Sequence, residues 1–273
     1  MLSIFNLNGG TAQSGRSHCS IQAEPLLNFA GRADFAERRT QGTRIVIDYV
    51  HQVYAQLFPF SLSNKIICVQ HWNEDYPLTA PKRFNPNITA DNIVFITCED
   101  GYWSQIIYQL GHEFSHVVMD CYPENESLKW ISECLCEAAS IYMLDNSKSF
   151  FRKHLPIYEK SVEKYLYDHL NKSISLNACE IFKYIQKNIK NLTDDPNEEG
   201  KVGRPRNNII GKYIASIILN NPEGWTAIAL FPTDDEKMDY NEFVLQWYNK
   251  CKTNNQREFV SSLAKVIIEK NLV

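Results

Sequence analysis

Apolar positions along this chain fall into several periods, and each period predicts an element. Ile45, Val46, Tyr49, Val50, Val53 and Leu57 recur at helical spacing, so a helix is expected over about 43–58. Pro59 then ends it. "KIICVQH" (65–71) is rich in β-branched residues and predicts a strand. The following stretch carries Pro77, Pro81 and Pro86 and predicts a long surface loop. "NIVFITC" (92–98) predicts a second strand. After Asp100 and Gly101 the period changes. Trp103, Ile106, Ile107, Leu110, Phe114, Val117 and Val118 predict a helix over 102–120, broken by Pro123. Ile131, Leu135, Ala138 and Tyr142 predict another over about 128–145. Further helices are expected over 148–170, 175–191, 207–220, 239–251 and 255–270, with a polar loop at 193–206.

Residues 1–32 lack this periodicity and predict a loose N-terminal arm. Residues 33–146 then form a mixed part that carries the motif helices, and 147–273 a helical part. Early strands and late helices imply an α+β fold. Its small mixed N-terminal sheet is expected to pack on the helix at 102–120, ahead of a mostly helical C-terminal half.

Composition narrows the function classes. The chain has 273 residues, 44% hydrophobic and 22% charged, which suffices for a sizeable core. A formal charge of −4 and no basic block argue against nucleic-acid binding. No stretch approaches the roughly 18 apolar residues of a membrane span. The first twenty residues do not read as a secretion signal, so a cytoplasmic location is expected. The eight cysteines then read as reduced thiols, and without a C-x-x-C pair a cysteine zinc ribbon is not expected.

One stretch carries chemistry. "YQLGHEFSHVVMD" (108–120) contains His112, Glu113 and His116, an H-E-x-x-H pattern. The pattern alone arises in on the order of one ordinary chain in a hundred, so its setting matters. Here it lies within a predicted amphipathic helix. Residues i and i+4 share a helix face, so both imidazoles can aim at one ion. Glu113 sits about 100° round from His112, placed to take a proton from a metal-bound water. A catalytic zinc takes a third protein ligand and leaves its fourth position to water. Glu133 and Glu137 are four apart on the next predicted helix and face the same way, so spacing does not choose between them. Cys134 and Cys136 beside them read as core packing with no catalytic role, although thiols near a zinc can add an adventitious ligand.

H112-E113-F114-S115-H116 followed by W130-I131-S132-E133 resembles the gluzincin metallopeptidases. Many of these carry W-L-x-E-G-x-A-E-Y on the second helix, and "WISECLCEAAS" lines up with that run. The resemblance covers about 92–145. It implies a peptidase that holds one Zn2+ per chain through His112, His116 and Glu133, with Glu113 as general base. It places Glu137 on the later acidic position. It also implies that "NIVFI" is a free edge strand on which an extended substrate lies. A Tyr on a helix beyond the ligand Glu is a frequent oxyanion donor in small members, which points to Tyr213. Arg204 and Arg206 are placed to reach a substrate carbonyl or carboxylate, whereas His71 and His154 read as structural or exposed. Three features depart from the family. Cys134 stands where a Gly is usual, only sixteen residues separate His116 from Glu133, and the Gly-x-Met-Glu-Asn segment of aminopeptidases is missing.

The expected partner is therefore a peptide or protein substrate, with neither nucleic acid nor membrane. Two rivals stay open. "CEAASIYML" partly matches the E-A-x-x-x-A run of repressor-cleaving H-E-x-x-H proteins, which would make Glu137 the ligand. A non-catalytic metal-binding protein is the other, although such a site has no use for Glu113 as a base.

Overall fold

A computed structural model describes residues 4–7, 21–23, 33–58, 66–70, 77–81, 92–99, 101–119, 128–171, 175–193, 203–233 and 238–268. Helices predominate, and one small sheet belongs to the N-terminal part. The strands are β1 (Ile4–Leu7), β2 (Ile21–Ala23), β3 (Ile66–Gln70), β4 (Leu78–Pro81) and β5 (Asn92–Ile96). The helices are α1 (Ala33–Leu57), α2 (Trp103–Met119), α3 (Lys129–His154), α4 (Glu159–Asn171), α5 (Ala178–Thr193), α6 (Gly203–Asn220), α7 (Tyr240–Lys250) and α8 (Asn254–Ile267). No described helix is long and apolar enough to cross a membrane. The chain divides into two compact units, Met1–Val117 and Val118–Val273.

In the first unit the sheet order is β2-β1-β3-β5-β4. β3 and β5 run parallel, and the other pairings are antiparallel. Two expectations change here. Part of the arm at 1–32 supplies strands β1 and β2, and the proline-rich stretch expected as a loop contains β4. Elements of three or four residues are too short to show a period of their own. β5, expected as a free edge, is paired on both sides, and among the described strands β4 is the outermost instead. β5 buries Ile93, Val94 and Ile96. Pro81 is compatible with an edge, where a missing N–H costs no ladder bond.

α1 buries Val46, Ile47, Val50, Tyr54 and Phe58, one continuous stripe. Its Gly42 lies against the indole of Trp103. A Cβ at Gly42 would come within 2.2 Å of that ring, so glycine is what lets α1 and α2 approach here. The Trp103 indole N–H donates to Thr43 Oγ1 at 3.2 Å.

α3 organises the second unit. Residues 130–144 are all buried except Glu133, so the helix is enclosed almost all round and shows little amphipathic contrast. It runs past the expected 145 and stops ahead of Pro156, with Arg152, Lys153 and His154 in the last turn, where the helix dipole favours cations. α6 packs on it, and at Gly211 an added Cβ would meet Glu137 Cγ at 2.6 Å and the Cys134 carbonyl oxygen at 3.1 Å. α7 and α8 each start with a capping box, Asp239 with Glu242 and Thr253 with Gln256. Phe231, Phe243, Trp247 and Phe259 fill the space behind them.

The contact at Gly211 gives a test by sign. Gly→Ala within an open helix stabilises by roughly 1 kcal/mol. Gly211→Ala is expected instead to destabilise the protein by about 1–3 kcal/mol, because the methyl overpacks against α3. Urea denaturation of the metal-free protein measures it, and a more stable variant would refute the close approach.

Candidate metal centre

α2 is held from two directions within its own unit. The Tyr54 hydroxyl of α1 donates to the Gly111 carbonyl at 2.5 Å and lies 2.8 Å from Ser115 Oγ. Its ring meets Phe114 edge-on at 5.5 Å. From the sheet, Gln109 and Thr97 bond reciprocally. Thr97 N donates to Gln109 Oε1 at 3.0 Å, and Gln109 Nε2 donates to Thr97 Oγ1 at 2.8 Å. Gly111, Phe114 and Ser115 therefore face inward, and His112 and His116 turn the other way.

The two imidazoles are neighbours, 5.1 Å apart between ring centres and inclined at 64°. Over residues 109–119 they are the only half-exposed side chains, and every other one is buried. Glu113 lies between them in sequence and is 2% exposed. Thr79 Oγ1, on β4, donates to Glu113 Oε2 at 2.7 Å and stands 3.2 Å from the Glu113 carbonyl oxygen.

On α3 the W-x-x-E run is anchored at its start. Trp130 is buried, its indole N–H donates to the Tyr240 hydroxyl at 3.2 Å, and burial pushes the Tyr240 phenol above its usual pKa. Three residues on, Glu133 is the one half-exposed position between 130 and 144. Glu137 is buried, and Asn208 Nδ2 of α6 donates to its Oε1 at 2.7 Å. Cys134 points toward Asn207 Oδ1 at 3.8 Å. Burial first, then the charges of Glu133 and Glu137, drive its thiol well above the ordinary range, which keeps it protonated and unreactive. Burial likewise pushes Cys68 and Cys98 up to about 12, in keeping with packing thiols.

Among the described residues, one group of side chains can hold a metal ion: His112, His116 and Cys136, whose ligand atoms all lie within 4.8 Å of one another. A tetrahedral zinc with bonds of about 2.0–2.3 Å spaces its ligand atoms by roughly 3.3–3.8 Å. Nitrogen and sulfur are also the atoms zinc prefers. The Glu133 carboxylate is not in the group as it stands. From the sequence Cys136 read as core packing, at most an adventitious zinc ligand. Its place three residues after Glu133, one helical turn away on the same face, is the signal that points to it.

The remaining predicted residues fall as follows. Tyr213 is half-buried on α6, its phenol raised by burial, and lies about 200° round that helix from Gly211, the residue that meets Glu137. Arg206, on the first turns of α6, is half-buried with its Nε lacking a hydrogen-bond partner. It sits near Tyr184 of α5, whose phenol burial raises and Arg206 partly lowers again. The side chain of Arg204 and all of His71 lie outside the described residues. His154 is exposed at the end of α3 and packs on Phe150 at 5.2 Å. Comparison with known proteins gives no match to a family model, a curated protein or a solved structure.

His112→Ala and His116→Ala should each lower zinc affinity by more than the roughly 10–100-fold that loss of an outer-shell partner costs. Competition against a chromophoric chelator measures this. Cys136→Ser in the same assay reads how far the thiol contributes, and histidine variants with parental affinity would remove the site from α2.

Proposed function

We propose that the protein is a zinc-dependent hydrolase that cleaves peptide bonds, with His112, His116 and Glu133 as protein ligands and Glu113 as general base. One observation carries this reading. Over residues 109–119 of α2 and 130–144 of α3 the half-exposed positions are His112, His116 and Glu133, while the acid between the histidines is buried and hydrogen-bonded. A hydrolytic site needs access at its ligands and a fixed carboxylate beside them. A structural zinc needs neither.

Zinc, when bound, supplies a Lewis acid for the scissile carbonyl and lowers the pKa of its water toward neutrality. The chain's own residues do the rest. Glu113 takes the proton of the attacking water and delivers it to the leaving amine. Tyr213 is the proposed donor to the oxyanion, by resemblance to small gluzincins, with Arg206 as a second cation near substrate. An extended peptide is placed on β4, since an outer strand has main-chain groups to offer and the interior β5 does not.

Cys136 bears on a second reading. Either Glu133 or Cys136 as third ligand leaves a position for water, which suits catalysis. Both together give four protein ligands and a closed, structural site. The group formed by His112, His116 and Cys136 is what favours keeping this alternative.

Glu113→Gln separates binding from chemistry. It is expected to keep zinc at the parental level and to lose turnover by about 10²–10⁴-fold. Peptide-library cleavage with parallel elemental analysis reads both. Parental turnover in this variant would refute the mechanism.

Glu133→Ala should weaken zinc binding far more than Glu137→Ala, whose carboxylate is held by Asn208. The reverse order of affinities would move the ligand to Glu137 and favour the repressor-cleaving type.

A further inference from the structure

The edge strand β4 carries a side chain that the sequence did not single out. Leu78 is 49% exposed and Thr79 is 4% exposed, so Thr79 is the inward residue of the pair. In the sheet it stands opposite Val94 of β5, itself fully buried. Its hydroxyl lies 2.7 Å from Glu113 Oε2 and 3.2 Å from the Glu113 carbonyl oxygen.

We infer that Thr79 is a positioning residue for the reaction: it fixes the Glu113 carboxylate in the orientation from which that group receives the proton of water. The inference rests on the hydrolase reading above. Its physical basis is threefold. The hydroxyl has one proton and faces two acceptors, and the shorter contact is to the carboxylate. A charge-assisted bond of this length is about twice as strong as a neutral one. One carboxylate oxygen is thereby committed to Thr79, which fixes the plane of the group and the direction of the other oxygen. The proton of water goes to the other oxygen, so the Thr79 hydroxyl can go on donating to Oε2 in both states of Glu113. Proton pickup and release then proceed without the side chain swinging away. The β-branch restricts χ1 of Thr79, so the hydroxyl is itself held in place. A misplacement of about 1 Å can cost on the order of 100-fold in rate, which sets the scale of what such a contact contributes.

The same contact ties the base to the strand proposed to hold substrate. The Thr79 side chain points inward, and β4 is the outermost of the described strands, the place proposed above for an extended peptide. Substrate pairing with β4 and alignment of Glu113 are therefore mechanically linked through one residue.

The test compares Thr79→Val, which removes the hydroxyl and keeps the shape, with Thr79→Ser, which keeps the hydroxyl. In zinc-loaded protein, Thr79→Val is expected to lower kcat by about 10–100-fold. KM and zinc content should change little, and Thr79→Ser should recover most of the rate. A second readout uses metal-free protein. The infrared carboxylate band of Glu113, obtained as parent minus Glu113→Gln, should shift in the Thr79→Val background and stay in place with Thr79→Ser. A Thr79→Val variant with parental kcat overturns the inference. So does a loss of rate with an unmoved carboxylate band, or equal impairment by Val and Ser. If the band shifts but the parent cleaves no peptide in the library, the hydrolase reading fails, and Thr79 is then only a structural partner of Glu113.

Discussion

Burying the Glu113 carboxylate is the constraint on which the first unit depends. A carboxylate withdrawn from water costs several kcal/mol unless a donor replaces the lost hydration. Glu113 is 2% exposed, and the Thr79 hydroxyl supplies such a donor. That bond requires β4 to run along the outside of β5, which in turn needs the pairing of Thr79 with Val94. It also requires α2 to hold one rotation about its axis. Tyr54 and the Gln109–Thr97 pair fix that rotation from the α1 side and from the end of β5. His112 and His116 lie about 100° and 60° round the helix from Glu113, so both imidazoles stay beside the carboxylate while remaining half-exposed.

The second unit handles a buried acid by different means. Glu137 sits on a helix enclosed almost all round, and its partner is the Asn208 amide. Asn208 reaches it because α6 comes close to α3, and that approach needs the missing side chain of Gly211. Cys134 lies between these groups with its thiol held protonated by burial and by two neighbouring carboxylates. The position after Glu133 is thus occupied by a small, buried side chain that carries no charge.

Ligand number decides what a zinc site can do. Three protein ligands leave room for water and chemistry, and four close the sphere. α3 presents Glu133 half-exposed and Cys136 buried, one turn apart. The first has solvent access and hard oxygen chemistry, and the second offers soft sulfur from a dry environment. Either one as third ligand leaves a position for water, and only both together would give a closed, structural site. The half-exposure of Glu133, in a stretch where every neighbour is buried, is why the catalytic reading is preferred.

The sequence by itself determined the elements with a long period and the chemistry held within one helix. α2 and α3 are legible from their apolar spacing, and His112, Glu113 and His116 from a pattern that spans barely more than one turn. Local rules reach that far because helix hydrogen bonds join residues four apart. Only the tertiary structure placed β1, β2 and β4, whose three or four residues carry too little periodicity to register. It made β5 interior, since the edge or centre of a sheet depends on partners distant in sequence. It brought Thr79 to Glu113 across 34 positions and Asn208 to Glu137 across 71. No spacing rule connects such pairs, because what joins them is the cost of leaving a buried polar group without a partner, and that cost exists only once the chain has folded.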